Sequence, residues 1–487
     1  MWLGPMLAVG VAVAGALIVA ALAGWPKPAA AKVTIEPAGP NGSDALVVRS
    51  GTVDDLDTLR GAAVRLRRLS ALQLVGPGTW LLSMPVVIET GGRLDIEGVE
   101  LRLSSGRQTM APIEARGGQV RVLDSVVTSW DEALGDVDTD LSDGRAYMLA
   151  TEGAWMDLVA SKVRMLGYDA DDRTGLSWVR GASGAMNGSE VVGGQSDAHL
   201  GGSALVRIRN SVLERALGDG LAARAECGQL VIENNVFRAN GRHGALLAGG
   251  CADAVLRANK SYSNGADGIL VSEASSRVAV VGNELHDNSG AGVAVRSSDG
   301  VTVIRNQVWA NGTGVSLVEG PRDVVLADNR FSSNRTDGIF VGLGSSRSRM
   351  TGNRLDHNGR AGVWVEEGDV AIGPGNTLTG NDFGIWIEPR ASPVRVERNT
   401  IVANLDDGIS LGRTTDLVIE GNAISRNVAA FSVPSPGGSA SFLGLNTLAQ
   451  NRRDERVRPP TGPAPPAVAP APSGSVGPND SESSPEA

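Results

Sequence analysis

The chain has 487 residues, a formal net charge of -10, 64 glycines and only 4% aromatic residues. That glycine weight with so few aromatics excludes an ordinary helical globule and fits a turn-rich β protein. The acidic balance excludes nucleic acid as a partner, because phosphate backbones are met by a basic footprint, and an anionic polymer would need a locally basic strip.

Residues Trp2 to Trp25 carry no charged side chain. As a helix this stretch would span roughly 36 Å, enough to cross a bilayer, and Ala29-Ala30-Ala31 has the small-residue character of a signal-peptidase site. Two readings of residues 1–32 stay open, a signal peptide and a membrane anchor, and both export the remainder. Residues 33–75 read as an N-terminal cap. Within it 52–68 has a helical pattern: Leu56, Leu59, Ala63 and Leu66 share a face, and Thr52 with Asp55 resembles a capping box. Such a helix would cover the open edge of a β stack.

Residues 76–451 are read as that stack. Leu94-Asp-Ile, Val120-Arg-Val and Ser161-Lys-Val mark its early strands, separated by Asp-rich excursions at 131–143, where Asp138 reads as an exposed loop residue, and at 168–173. Then a repeat decides the fold. An Asn recurs at 210, 235, 259, 283, 306, 329, 353, 376, 399, 422 and 446, in steps of 23 to 25. A second Asn follows five residues after each but the first, where Arg215 stands, and a Gly usually comes three to five residues later. After the Gly the side chains alternate, as in Gly268-Ile-Leu-Val and Gly384-Ile-Trp-Ile, which is strand patterning. Two residues past the first Asn the side chain is apolar (Val212, Phe237, Leu285, Val308 and onward), except at Ser261. One repeat is therefore three short strands and three turns. A single copy cannot bury its apolar stripe, whereas stacked copies can, at about 4.8 Å per rung. Asn suits the turns because it tolerates left-handed backbone and its amide can bond the next Asn in the stack. The fold class is all-β, a right-handed parallel β-helix of the pectate-lyase-like kind. Residues 452–487 are rich in Pro, Ala and Ser and read as a disordered tail.

Cys227 and Cys251 each lie eight residues before a ladder Asn. Stacked equivalents about 4.8 Å apart fall inside the usual disulfide Cα range of about 4.4–6.8 Å, and an exported protein meets an oxidising compartment, so a disulfide is expected. No other potential ligand recurs at that position, and no metal site is expected there. Arg224, Glu226, Glu273, Arg296, Glu319 and Glu366, with Glu367, Glu388 and Arg390, follow coil glycines. They are the candidate residues for binding an extended glycan in a groove of mixed charge. The histidines share no repeat position: His243 precedes a coil glycine, and His286 and His357 read as solvated turn residues.

Several strings resemble the periplasmic mannuronan C5-epimerase family: VTSWDE at 127–132, LGYD at 166–169, GLSW at 175–178, RHG at 242–244 and NKSYSN at 259–264. The resemblance spans roughly residues 50 to 370. It implies a β-helix acting on alginate, with an Asp-Pro-His-Asp motif whose His removes the C5 proton and a following-coil Arg that neutralises the uronate. The motif is absent here. In the matching coil Ala222 and Ala225 stand for the Asp residues and Arg224 for the His, and Gly249 replaces the Arg one coil on. Arg is protonated at all working pH values and is a poor base, though a good partner for carboxylates. The reading is an exported protein that binds an extended, uronan-like polysaccharide without C5-epimerisation. Two alternatives stand beside it. One is an active lyase or epimerase of changed chemistry, with Arg224 as the candidate base and Ca2+ as the candidate cofactor. The other is a structural or assembly protein of the envelope.

Overall fold

The computed structural model describes residues 30–106, 110–202, 205–414 and 416–458. The leader expected over 1–32 and the tail expected over 452–487 fall largely outside these residues. Among the described residues no helix is long and apolar enough to cross a membrane.

The chain winds into a stack of parallel rungs, each contributing one short strand to each of three sheets. In one rung these are Leu221–Arg224, Val231–Glu233 and Val236–Arg238, and the next rung continues them in register with Ala245–Leu247, Val255–Arg257 and Lys260–Tyr262. We call them the first, second and third sheets. One continuous core runs the length of the stack, from Leu46 to Val433.

Two Asn ladders hold the corners on either side of the third sheet. Asn235 Nδ2 donates to Asn259 Oδ1 at 3.0 Å, Asn259 to Asn283 at 3.0 Å, and the series runs on to Asn446. The parallel series begins with Asn240 donating to Asn264 at 3.0 Å and ends at Asn451. Asn210 is not in the first ladder, as the repeat spacing had implied. It is exposed, and Ser211 takes the inner position, its N–H donating to Asn235 Oδ1 at 3.0 Å. Serines continue the ladder upstream: the N–H groups of Ser189, Ser161 and Ser125 each donate to the next Ser Oγ at 3.2 Å. The same one-residue offset makes Leu213, not Val212, the buried residue of that rung, and makes Ala216 the counterpart of Asn240 in place of Arg215. Ser261, the polar exception in the core, donates to Gly268 O at 2.8 Å and accepts from Asn264 Nδ2 at 3.0 Å, so its burial leaves no hydroxyl unpaired. The coil glycines are steric: a Cβ on Gly268 would lie 2.7 Å from the Gly292 carbonyl and 2.8 Å from Asn288 Nδ2.

The N-terminal segment is more than a cap. Ala45–Val53 is already a rung, pairing with Val86–Glu89 and Gly92–Glu97. The helix is shorter than its pattern, Leu56–Arg65, and Asp55 is its N-cap, accepting from Thr58 N at 2.6 Å, whereas Thr52 belongs to the strand. Leu56, Leu59 and Ala63 bury against the end of the stack. At the other end the strand Arg453–Val457 pairs with Ala429–Val433, beyond the boundary expected at 451, and Arg456 and Arg458 tie it to Asp406. Asp138 is buried, not exposed: it accepts from Ser105 Oγ at 2.5 Å and from Asp140 N at 2.9 Å.

Candidate functional site

Side chains alternate in and out along each first-sheet strand. The first outward position of successive rungs forms a single column. From Glu114 it passes through Leu149, Ser177, His199, Ala222, Leu246, Leu270, Ala294, Ser316, Phe340, Trp364, Trp386 and Ser410 to Ser432. Near His199 the column is recessed, with Ala222, Leu246, Leu270 and Ala294 buried, and it opens at half-buried Ser316, Phe340 and Trp386.

The charged groups gather beside its recessed part. Asp219, His243 and Asp267 occupy one stacked position where the chain enters the sheet, each buried. The His243 N–H donates to Asp219 Oδ1 at 3.1 Å, the Asp267 N–H donates to His243 Nδ1 at 3.1 Å, and the Ala291 N–H donates to Asp267 Oδ1 at 2.7 Å. His243 is thus a structural link with its Nδ1 acting as acceptor. The carboxylates it separates face cations: Asp219 lies 3.6 Å from Arg224 and Asp267 lies 3.6 Å from Arg296.

His199 lies one rung before Arg224, its strand Ala198–Gly201 pairing with Leu221–Arg224. Burial pushes the His199 imidazole below its ordinary value of 6.5, with Asp172 opposing the shift and Arg224 adding to it. Asp172 comes from the 168–173 excursion and approaches His199 Nε2 at 3.9 Å, while Arg180 holds its other oxygen at 2.8 Å. The same excursion brings Arg173 over the Tyr147 ring, 5.6 Å from its centroid. Tyr147 donates to Glu114 at 2.5 Å. The result is an imidazole whose charged form burial disfavours, one rung from a half-exposed guanidinium; such a pair can remove a proton next to a carboxylate and balance the charge that develops.

The sequence candidates divide between two places. Arg224, Arg296, Glu366 and Glu388 lie on the column's own strands, each two residues past its column residue, Ala222, Ala294, Trp364 and Trp386. Glu226, Glu273 and Glu319 lie beyond the strand ends, exposed, in turns with φ of 56°, 53° and 63°. Cys227 and Cys251 are joined as a disulfide with Cα atoms 4.5 Å apart, wholly inside the core. His286 is stacked between Tyr262 and Trp309 on the third sheet at 4.9 and 4.4 Å, away from the column, and His357 is exposed. Among the described residues no group of three His, Cys, Asp or Glu side chains could hold a metal ion.

Sequence reasoning missed His199, Asp219, Asp172 and the aromatic members of the column. His199 carried one usable signal: it lies two residues after Asp197 at the start of a strand. Its closeness to Arg224 depends on rung register, which irregular coil lengths upstream of the repeat conceal.

The family described as right handed beta helix region matches residues 172–285, 225–383 and 318–443. The mannuronan C5-epimerase of Pseudomonas aeruginosa is 31% identical over 129 residues, 24% of this chain and 23% of that protein's length. The crystal structure of the periplasmic alginate epimerase AlgG superposes with a TM-score of 0.54 at 17% identity, covering 88% of this chain and 94% of that one. A mutant of the same protein gives 0.55 at 18% identity, covering 87% and 93%. At that identity the structural likeness is one of fold.

Proposed function

The chain belongs to the right-handed β-helix family, and from that premise we propose that it is an extracytoplasmic protein that binds an extended acidic polysaccharide along the outer face of the first sheet. The observation that carries the proposal is the column itself: one unbroken line of outward residues, with the guanidiniums of Arg224 and Arg296 beside it, each within ion-pair distance of a buried carboxylate. Asp219 lies 3.6 Å from Arg224 and Asp267 lies 3.6 Å from Arg296. The half-exposed Arg224 guanidinium, which no side-chain hydrogen bond occupies, can receive a uronate carboxylate through two parallel hydrogen bonds. The likeness to alginate epimerases supports a uronan as the polymer. Titration calorimetry with polymannuronate tests the proposal. Arg224→Ala should weaken binding about tenfold at low salt, and the gap should narrow as salt is raised. Equal affinity of wild type and variant at every salt concentration would remove the central cation from the site.

A second reading, chemical modification of the bound uronate, is favoured by one observation. Burial lowers the His199 pKa, and Arg224 lies on the next rung. The pairing of a His with an Arg on the following coil is the one the epimerase resemblance implies, shifted one rung toward the N-terminus. His199 would take the C5 proton while Arg224 neutralises the carboxylate on which negative charge builds, and a proton from solvent returned to C5 would complete the exchange or inversion. This reading reverses the expectation from the coil at Leu221–Ala225 that no base is available. Exchange of deuterium into C5 of polymannuronate reads the step directly.

A further inference from the structure

The column that carries His199 reaches an aromatic step six pairings later. Phe340, Trp364 and Trp386 stand at equivalent outward positions of adjacent rungs, their ring centroids 4.8 and 5.8 Å apart, and Phe383 packs against Trp386 at 4.9 Å. Between His199 and the step the column holds only Ala, Leu and Ser, with Ala222, Leu246, Leu270 and Ala294 buried and Ser316 half-buried, so a chain running from one to the other passes over this recessed stretch and meets an open side chain again at Ser316. At about 4.8 Å per rung the step begins roughly 29 Å from His199.

This step is built as a site, beyond what a core needs. Arg360 grips buried Asp337 with two hydrogen bonds, 3.0 and 2.5 Å, and its guanidinium lies 3.7 Å from the centre of the Trp364 ring. A cation clamped between a carboxylate and an indole keeps a fixed orientation. Glu366 and Glu388 flank the rings on neighbouring strands, and Arg390 lies 3.2 Å from Glu366. Trp364 is covered, while Phe340 and Trp386 at the two ends of the stack remain half-exposed. Apolar ring surface bordered by fixed hydrogen-bonding groups is what a pyranose presents itself to: its C–H face packs on the ring, and its hydroxyls and carboxylate reach the rim.

We infer that Phe340, Trp386 and Arg360 form a second, distal sugar-binding subsite, occupied by the same acidic polysaccharide chain that passes the His199–Arg224 cluster. The inference rests on the glycan reading given above. It assigns a role to residues that lie some six to eight rungs from His199, and it lays the glycan's path over the intervening column.

Two substitutions test it, both outside the core. Trp386→Ala removes the open end of the step, and Ser316→Trp places an obstacle on the rung directly before Phe340, where a chain coming from His199 would reach the step. Each is compared with wild type for polymannuronate affinity by titration calorimetry, with the thermal midpoint as a control for folding. Both variants should stay folded with a cooperative transition, Trp386→Ala at a midpoint lowered by the packing it loses against Trp364 and Phe383, and both should bind about tenfold more weakly. If both fold normally and bind as wild type does, there is no distal subsite. A loss with Trp386→Ala but none with Ser316→Trp overturns the claim that one chain follows this path. Failure of the wild type itself to bind polymannuronate contradicts the glycan reading rather than the distal subsite alone.

Discussion

At the scale of single residues, the site depends on what burial does to His199. Burial lowers its pKa, so the folded protein protonates this imidazole only at lower pH than the unfolded chain, which does so near 6.5. The unfolded state thus binds more protons between the two values. Stability from this group is fully present above about pH 6.5 and is lost as pH falls toward the folded value. A His199→Gln variant should show a flatter decline of its thermal midpoint below pH 6.5 than wild type does. The same variant separates the two functional readings. If the protein modifies uronate, C5 deuterium incorporation seen with wild type near neutral pH should vanish with His199→Gln. Incorporation that survives in His199→Gln but disappears in Arg224→Ala would make Arg224 the base instead.

At the scale of elements, the ladders dominate. Asn329 Nδ2 donates to Val303 O at 2.8 Å and to Asn353 Oδ1 at 2.9 Å, while its Oδ1 accepts from Asn306 N at 2.9 Å. Asn329→Ala leaves these buried partners without their bonds and should cost about 1–3 kcal/mol. Arg207→Ala, on an exposed side chain, should stay within about 0.5 kcal/mol in the same denaturant titration. Equal effects would show that the ladder contributes little. The ladders were legible in the sequence because Asn is a distinctive residue at a steady period. Their start was misplaced by one residue at Asn210, because Asn is equally at home in the left-handed turn position, and Asn210 has φ of 50°. The inner role passes to Ser211, and serine is too common to mark a repeat. The same physics concealed Asp138: an Asp-rich excursion looks solvated until Ser105 and the backbone of Asp140 are found to satisfy it.

At the scale of the whole molecule, a parallel stack turns sequence separation into linear distance. Residues about 24 apart become neighbours across roughly 4.8 Å, so a line of functional side chains can be as long as the stack. Fold class was legible because it follows from periodicity. The groove was only half legible. Arg224, Arg296 and Glu366 could be found from their distance to the coil glycine, yet that rule also selected Glu226, Glu273 and Glu319, which have already left the strand for left-handed turns. A count from the glycine cannot tell the last strand residue from the first turn residue when coil lengths vary. Nor could it see that His199 and Trp386 share one column, because register across many rungs is a property of the stack.

The most direct test of the central claim, a polysaccharide on the outer face of the first sheet, is arginine-selective labelling with phenylglyoxal read by mass spectrometry, with and without polymannuronate. Arg224 and Arg390 flank the column, whereas Arg257 lies on the second sheet and Arg330 on the third, and all four side chains are accessible, at 39%, 66%, 52% and 55%. The glycan should protect Arg224 and Arg390 and leave Arg257 and Arg330 labelled as before; protection of Arg257 or Arg330 instead, or of none of the four, would contradict it.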